Sequence, residues 1–173
     1  MNTEQGIGKR RENKLMSRKK MIQQAETSPI HVLGRAVIIS EGHILLAHDT
    51  NTENTFLPGG HIEYNEGAKN ALLRELREEF NGEAEINGFV GVLEHSFEYN
   101  NHTHYELNLL FSTRLLNYSH TQKPRSLEPH LEFLWQPIEK LEEANLLPSP
   151  LNAIIPDYYR KRQNSLWTST MEE

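Results

Sequence analysis

The sequence predicts an α+β domain of the α/β/α sandwich kind, with a mixed β-sheet held between helices. Three observations carry that reading. Short β-rich runs bounded by turn signals recur along most of the chain, one long stretch of helical periodicity interrupts them in the middle, and one or two short helical stretches come near the end. At 173 residues there is room for one domain with a proper core and too little for two.

The elements follow in order. Residues 31–40 (HVLGRAVIIS) are β-rich, Glu41-Gly42 is a turn signal, and HILLAHD follows as the second strand of a hairpin. Residues 49–55 are a polar loop. FLPGGHIE, with Pro58 and the Gly59-Gly60 pair, reads as a short extended piece broken by a tight turn. From Glu66 the pattern turns helical, because Leu72, Leu73, Leu76 and Phe80 recur at 3.6-residue spacing, and Asn81-Gly82 ends the run at residue 81. Two strand-like runs between residues 84 and 111 flank YNNH, a hairpin turning through Asn100-Asn101 and setting His95 opposite Glu106. In the second run Tyr105, Leu107, Leu109 and Phe111 form an apolar face and His104, Glu106 and Asn108 a polar one. A polar loop at 121–130, a strand HLEFLWQ, a short helix opened by Pro137 and a last helix at 151–162, interrupted by Pro156, complete the domain. Trp135, at a strand end, is expected to pack rather than to stack on a base.

Charge is unevenly distributed. Residues 1–28 hold seven Lys/Arg against three Glu, a net of +4, in a chain whose total is −6, so residues 29–173 carry −10. The first 28 residues read as a basic, solvated tail, and 29–173 as the single domain. An acidic body that takes an anionic substrate needs cations to mediate the contact. The chain has no cysteine, which excludes disulfides, zinc–thiolate sites and thiol nucleophiles. No run approaches the length of a membrane span, and no apolar core of a signal peptide follows the basic start. A cytoplasmic setting is the expectation, and a homodimer is left open.

The chemistry lies in GHIEYNEGAKNALLRELREEFNG. At about 100° per residue Glu75, Glu78 and Glu79 span roughly 100° of one helix face, beside the apolar arc of Leu72, Leu73, Leu76 and Phe80. Three adjacent carboxylates repel one another. Arg74, four residues before Glu78, offsets part of this. A hard divalent cation, Mg²⁺ or Mn²⁺, offsets more, because it prefers oxygen ligands and keeps waters for phosphates to replace. The Gly59-Gly60 pair lets backbone approach such a site closely. A solvated amphipathic helix is the plain alternative, and the fixed register of Gly60, Glu66, Arg74, Glu75, Glu78 and Glu79 argues against it.

Residues 60–82 resemble the Nudix box, G-x5-E-x7-R-E-U-x-E-E-x-G-U with U apolar, in seven of nine defined positions. Asn81 stands for the box glycine, and Gly82 for the apolar residue after it. Neither departure touches a carboxylate. The resemblance implies the Nudix fold and a pyrophosphohydrolase in which water attacks phosphorus of a nucleoside diphosphate linked to another moiety, with one to three divalent ions as cofactor. It further implies Glu75, Glu78, Glu79 and the Gly59 carbonyl as metal ligands, Arg74 as the residue orienting the glutamates, and Gly60 and Glu66 as supports of the loop–helix join. The general base comes from a box glutamate or from outside the box, where Glu106 is the candidate, expected across the cleft from the other three. The histidines near the hairpin tip are left out of the metal site. The expected partner is a small nucleotide substrate. An RNA 5′-end pyrophosphohydrolase is the alternative within the enzyme class, supported by the basic tail and opposed by the acidic body. A non-catalytic nucleotide-sensing module is the alternative outside it, opposed by the intact glutamates.

Overall fold

The computed structural model describes residues 30–99, 101–161 and 167–169. The expected basic tail lies outside them. The strands are β1 (Ile30–Ser40), β2 (His43–Asp49), β3 (Thr55–Phe56), β4 (Ala84–Tyr99), β5 (His102–Leu115), β6 (Leu131–Pro137) and β7 (Trp167–Ser169). The helices are α1 (Ala68–Phe80) and α2 (Leu151–Tyr159), with a 3₁₀ segment at Ile138–Ala144. The sheet runs β3-β2-β1-β5-β4-β7, and β6 pairs with the far side of β2.

The sheet is mixed, as expected, but β1 is used differently from the hairpin reading. It shares only two residue pairs with β2 and lies parallel to β5 from Ile30 to Ile38. Its other edge is covered by the box loop, through Gly34 N–H to Gly60 O, Ala36 N–H to Pro58 O and Ile62 N–H to Val32 O, each 2.9 Å. A strand covered on both edges and both faces reads as a continuous apolar run, which is what LGRAVII is apart from Arg35.

Strand alternation sorts the core into two layers. Ala36, Ile38 and Phe111 face α1, packing against Leu72, Leu76 and Phe80. Val37, Leu110 and Leu93 face the opposite way, against Leu141, Leu151 and Ile155. The result is the three-layer sandwich. Trp135 packs on the α1 layer and donates Nε1–H to Gln122 O.

Several boundaries differ from expectation for local reasons. Helix α1 begins at Ala68 because Gly67 is still extended and Glu66 closes a turn on Glu63 O. It ends as expected: Asn81 is left-handed at φ 55°, ψ 38°, and Gly82 N–H returns to Leu76 O. Gly82 is required sterically, since a Cβ there would lie 2.5 Å from the Phe80 ring. The residues after Pro137 form 3₁₀ rather than α structure, broken at Lys140, and α2 ends at Tyr159, three residues before 162, with Pro156 inside it and lacking the N–H that would bond the preceding turn. β7, pairing parallel to β4, has no counterpart among the expected strands. In the β4–β5 hairpin Tyr99 faces His102 and His95 faces Glu106, the register a two-residue connection requires.

Candidate active site

The Gly59–Gly60 segment lies between the two layers, and each side of it carries its own polar network. On the α1 side, Arg74 gathers the carboxylates. Its guanidinium lies 2.9 Å from Glu66, 2.9 Å from Glu75 and 3.0 Å from Glu78, and Nη2 also donates to His61 O at 3.1 Å. Arg74 is raised by these partners, Glu66 foremost, and Glu66 is in turn lowered by its hydrogen bond from Arg74. The loop–helix join is therefore tied by an ion pair between Glu66 and Arg74.

Burial along the helix face is graded. Glu78 is 55% exposed, Glu75 18% and Glu79 only 4%. Glu79 accepts Gly59 N–H at 3.2 Å. Burial pushes its carboxyl up to about 8; Arg35 and the Gly59 N–H pull it down, and the nearby Glu75 adds to the rise. Gly60 packs directly on the Glu75 carboxylate, and a Cβ there, 2.5 Å away, would push that carboxylate aside. Gly59, at φ +120°, would drive one into Gly34 O.

On the other side Arg35 reaches up from β1. Its Nη1 donates to Gly59 O at 2.7 Å and Leu57 O at 3.1 Å, and its Nε to Asn108 Oδ1 at 3.2 Å. Asn108 passes the link on, donating to Glu106 Oε2 at 3.1 Å. Gly59 thus bonds the helix side through its N–H and the far side through its carbonyl. The carbonyl expected to face a cation meets a guanidinium instead.

Arg35, Asn108 and Glu106 line a cavity of about 510 Å³ whose walls include Phe56, Phe97, Leu110 and Leu151. A largely apolar cleft of this size with a few converging polar groups has the form of a small-molecule site. The polar face of β5 is therefore not a solvated one: Asn108 is 2% exposed.

The expected place of Glu106 needs correction. It shares its side of β5 with Asn108 and Leu110, and Leu110 packs in the layer opposite α1. Glu106 is thus on the sheet face away from the box helix. The group that feels Glu106, Glu79 and Glu75 together is Arg35. Neither Arg35 nor Asn108 stands out from the sequence as a site residue. The usable signal was a charged residue inside an otherwise apolar strand, since a buried charge requires partners. Beside the box loop His31 hydrogen-bonds both His61 (2.9 Å) and His104 (3.1 Å), a second cluster that spacing does not reveal.

The donor set suits a hard cation: three carboxylates, one of them buried with its pKa raised, a group that a divalent ion would hold ionised. Among the described residues no three carboxylates or imidazoles already converge on one point, and Arg74 is the positive partner of Glu75 and Glu78.

A family model, the NUDIX domain, matches residues 30–158. The chain belongs to the Nudix hydrolase family. Solved structures with the same Nudix fold include a NUDIX hydrolase from Nitrosomonas europaea, at 22% identity and TM-score 0.62, covering 80% of this chain and 94% of that one. A UDP-X diphosphatase is 17% identical at TM-score 0.59, covering 88% and 74%. An ADP-ribose pyrophosphatase from Streptococcus suis is 18% identical at TM-score 0.51, covering 80% and 96%. No curated protein matches the chain. No helix among the described residues is long and apolar enough to cross a membrane.

Proposed function

We propose that this Nudix hydrolase cleaves the diphosphate linkage of a nucleoside diphosphate joined to another moiety, by metal-assisted attack of water on phosphorus. The observation that carries the reading is the packing of Glu75 and Glu79 against the Gly59–Gly60 segment, with Glu78 joined to Glu75 through Arg74 and a 510 Å³ cavity on the segment's other side. The cavity takes the nucleoside or its attached moiety, and the diphosphate lies at the segment. Two solved relatives carry names of this substrate class, UDP-X diphosphatase and ADP-ribose pyrophosphatase.

Glu75, Glu78 and Glu79 are the residues that hold Mg²⁺ or Mn²⁺. When bound, such an ion neutralises phosphoryl charge and makes water a better nucleophile. The residues divide the remaining work. Arg74 fixes the Glu75 and Glu78 side chains and is itself fixed by Glu66. Glu75, packed against Gly60 and less exposed than Glu78, takes the role of general base, now that Glu106 is on the other face. Glu106 orients the substrate from the cavity side.

The test is a panel of ADP-ribose, nucleotide sugars, dinucleoside polyphosphates and oxidised nucleoside triphosphates, with and without Mg²⁺ or Mn²⁺. At least one compound is split at its diphosphate, activity vanishes in excess chelator, and it returns with the ion. Full activity in chelator, or none on any compound, removes the reading.

A further inference from the structure

Arg35 is a charge set among buried apolar neighbours, Leu33, Ala36 and Val37. A guanidinium presents five N–H donors in a rigid planar fork. Nε is held by Asn108 and Nη1 by the two loop carbonyls, so the plane of the group is fixed. Nη2 donates to no other described residue. Arg35 is half-buried and lines the cavity, so the surface it retains opens there. The side chain is thus pre-organised, with one pair of donors left for a ligand.

We propose that Nη2 of Arg35 binds the substrate, taking an oxygen of the phosphate next to the moiety seated in the cavity. The inference rests on the hydrolase reading above and names the contact through which the diphosphate is held. Two observations favour a phosphate over a neutral acceptor. Among the described residues Arg35 is the only Lys or Arg lining the cavity, where the other formal charges, Asp49 and Glu106, are acidic. It also sits within electrostatic reach of Glu75 and Glu79, at the end where the diphosphate must meet the box. A planar, permanently charged donor suits phosphate oxygens, and holding it at two nitrogens lowers the entropy lost on binding.

The experiment measures binding of methylenebisphosphonate, a non-hydrolysable diphosphate, by calorimetry at saturating Mg²⁺, in wild type, Arg35→Lys and Asn108→Ser. Folding of each variant is checked by circular dichroism and thermal midpoint. Arg35→Lys keeps the charge and loses the fork, and its affinity falls roughly 10- to 100-fold, the worth of a charged hydrogen bond. Asn108→Ser removes the Nε acceptor and the link to Glu106 but leaves Nη2 and both carbonyl bonds, so its affinity falls by less, about 3- to 5-fold, the part due to the lost pre-organisation. Equal losses in the two variants, or unchanged affinity in Arg35→Lys, overturn the proposal and leave Arg35 a brace of the loop. If Arg35→Lys fails to fold, Arg35→Gln carries the same expectation. If wild type hydrolyses nothing on the panel yet binds the bisphosphonate through Arg35, the hydrolase reading fails and the contact stands.

Discussion

On one side of the Gly59–Gly60 segment, Glu66, Arg74, Glu75 and Glu78 come from a single stretch of chain and are tied by one arginine. On the other, Arg35, Asn108 and Glu106 come from two strands, with Arg35 and Asn108 separated by 73 positions. Both sides pair a guanidinium with carboxylates or amides, yet they are built for different tasks. The helix side keeps its charges graded from solvent to interior, so that a cation can reach them. The cavity side buries a cation under apolar walls, so that a ligand displaces little water on reaching it. Chemistry and recognition therefore meet at the Gly59 peptide and through the electrostatic reach of Arg35 to Glu75 and Glu79, while the remaining contacts of each side are separate.

The strongest way to break that division is to neutralise a carboxylate on each side. Glu75→Gln and Glu78→Gln are expected to lower kcat by about 10²- to 10⁴-fold, because each takes away a ligand charge or the base while keeping the side chain's volume. Glu106→Gln is expected to keep kcat within about 10-fold of wild type, its loss resting on orientation rather than on proton transfer. Steady-state kinetics at saturating Mg²⁺ decide the matter. Equal losses at Glu75 and Glu106 would mean that the two sides form one catalytic centre, with Glu106 returned to it as ligand or base.

The helix side is largely legible in the sequence, and the cavity side is not, for a physical reason. A helix converts sequence spacing into position, so the spacing of Gly60, Glu66, Arg74 and the glutamates suffices to place them relative to one another. A sheet does so only once its pairing is known. Reading β1 as half of a hairpin hides its parallel partner β5, and with it the meeting of Arg35 and Asn108. The same gap explains Glu106. Alternation correctly sets it apart from Leu107 and Leu109, but which face the helix covers is a property of the assembled sheet. Asn81 shows the opposite case, where local conformation alone resolves a departure from the box correctly.

The helix side also carries a pH signature. Glu79 is pushed up to about 8 chiefly by burial, well above the ordinary value of 4.5. The sign follows from linkage. In the metal-free protein the neutral form is preferred on folding, so this group's stabilising contribution is full below pH 4.5 and lost as pH rises through 8. Metal binding runs the other way, because the ligand must be ionised. Apparent Mg²⁺ or Mn²⁺ affinity should therefore rise close to tenfold per pH unit below pH 7 and level off through pH 8, roughly 50-fold between pH 6 and 8, with close to one proton released per chain at pH 7. Calorimetry in buffers of different ionisation enthalpy reads the proton directly. Glu79→Gln should remove both the release and the slope, and a slope that survives it would assign the proton to another group.

The smallest effect is expected at the cavity wall. Phe97 stacks at 5.2 Å on His104 and at 5.6 Å on His95, with interplanar angles of 15° and 21°. It lines the cavity while remaining 36% exposed, so it presents a ring surface to a ligand without anchoring the core. Phe97→Ala should accordingly cost little stability, since a partly exposed ring forfeits less on truncation than a buried one. Its loss should be felt in substrate affinity, because an aromatic face stacks on a nucleobase and that contact is made equally in ground and transition states. Interactions of that kind raise KM when removed and leave kcat in place. The expected rise is about 10-fold, within the range of a single base–aromatic contact. The division between the two sides requires this split: a helix-side residue lowers kcat, a cavity-side residue raises KM. Should Phe97→Ala instead lower kcat with KM unchanged, the cavity is not where the nucleoside or its attached moiety sits, and the diphosphate approaches the box from the solvent side of α1.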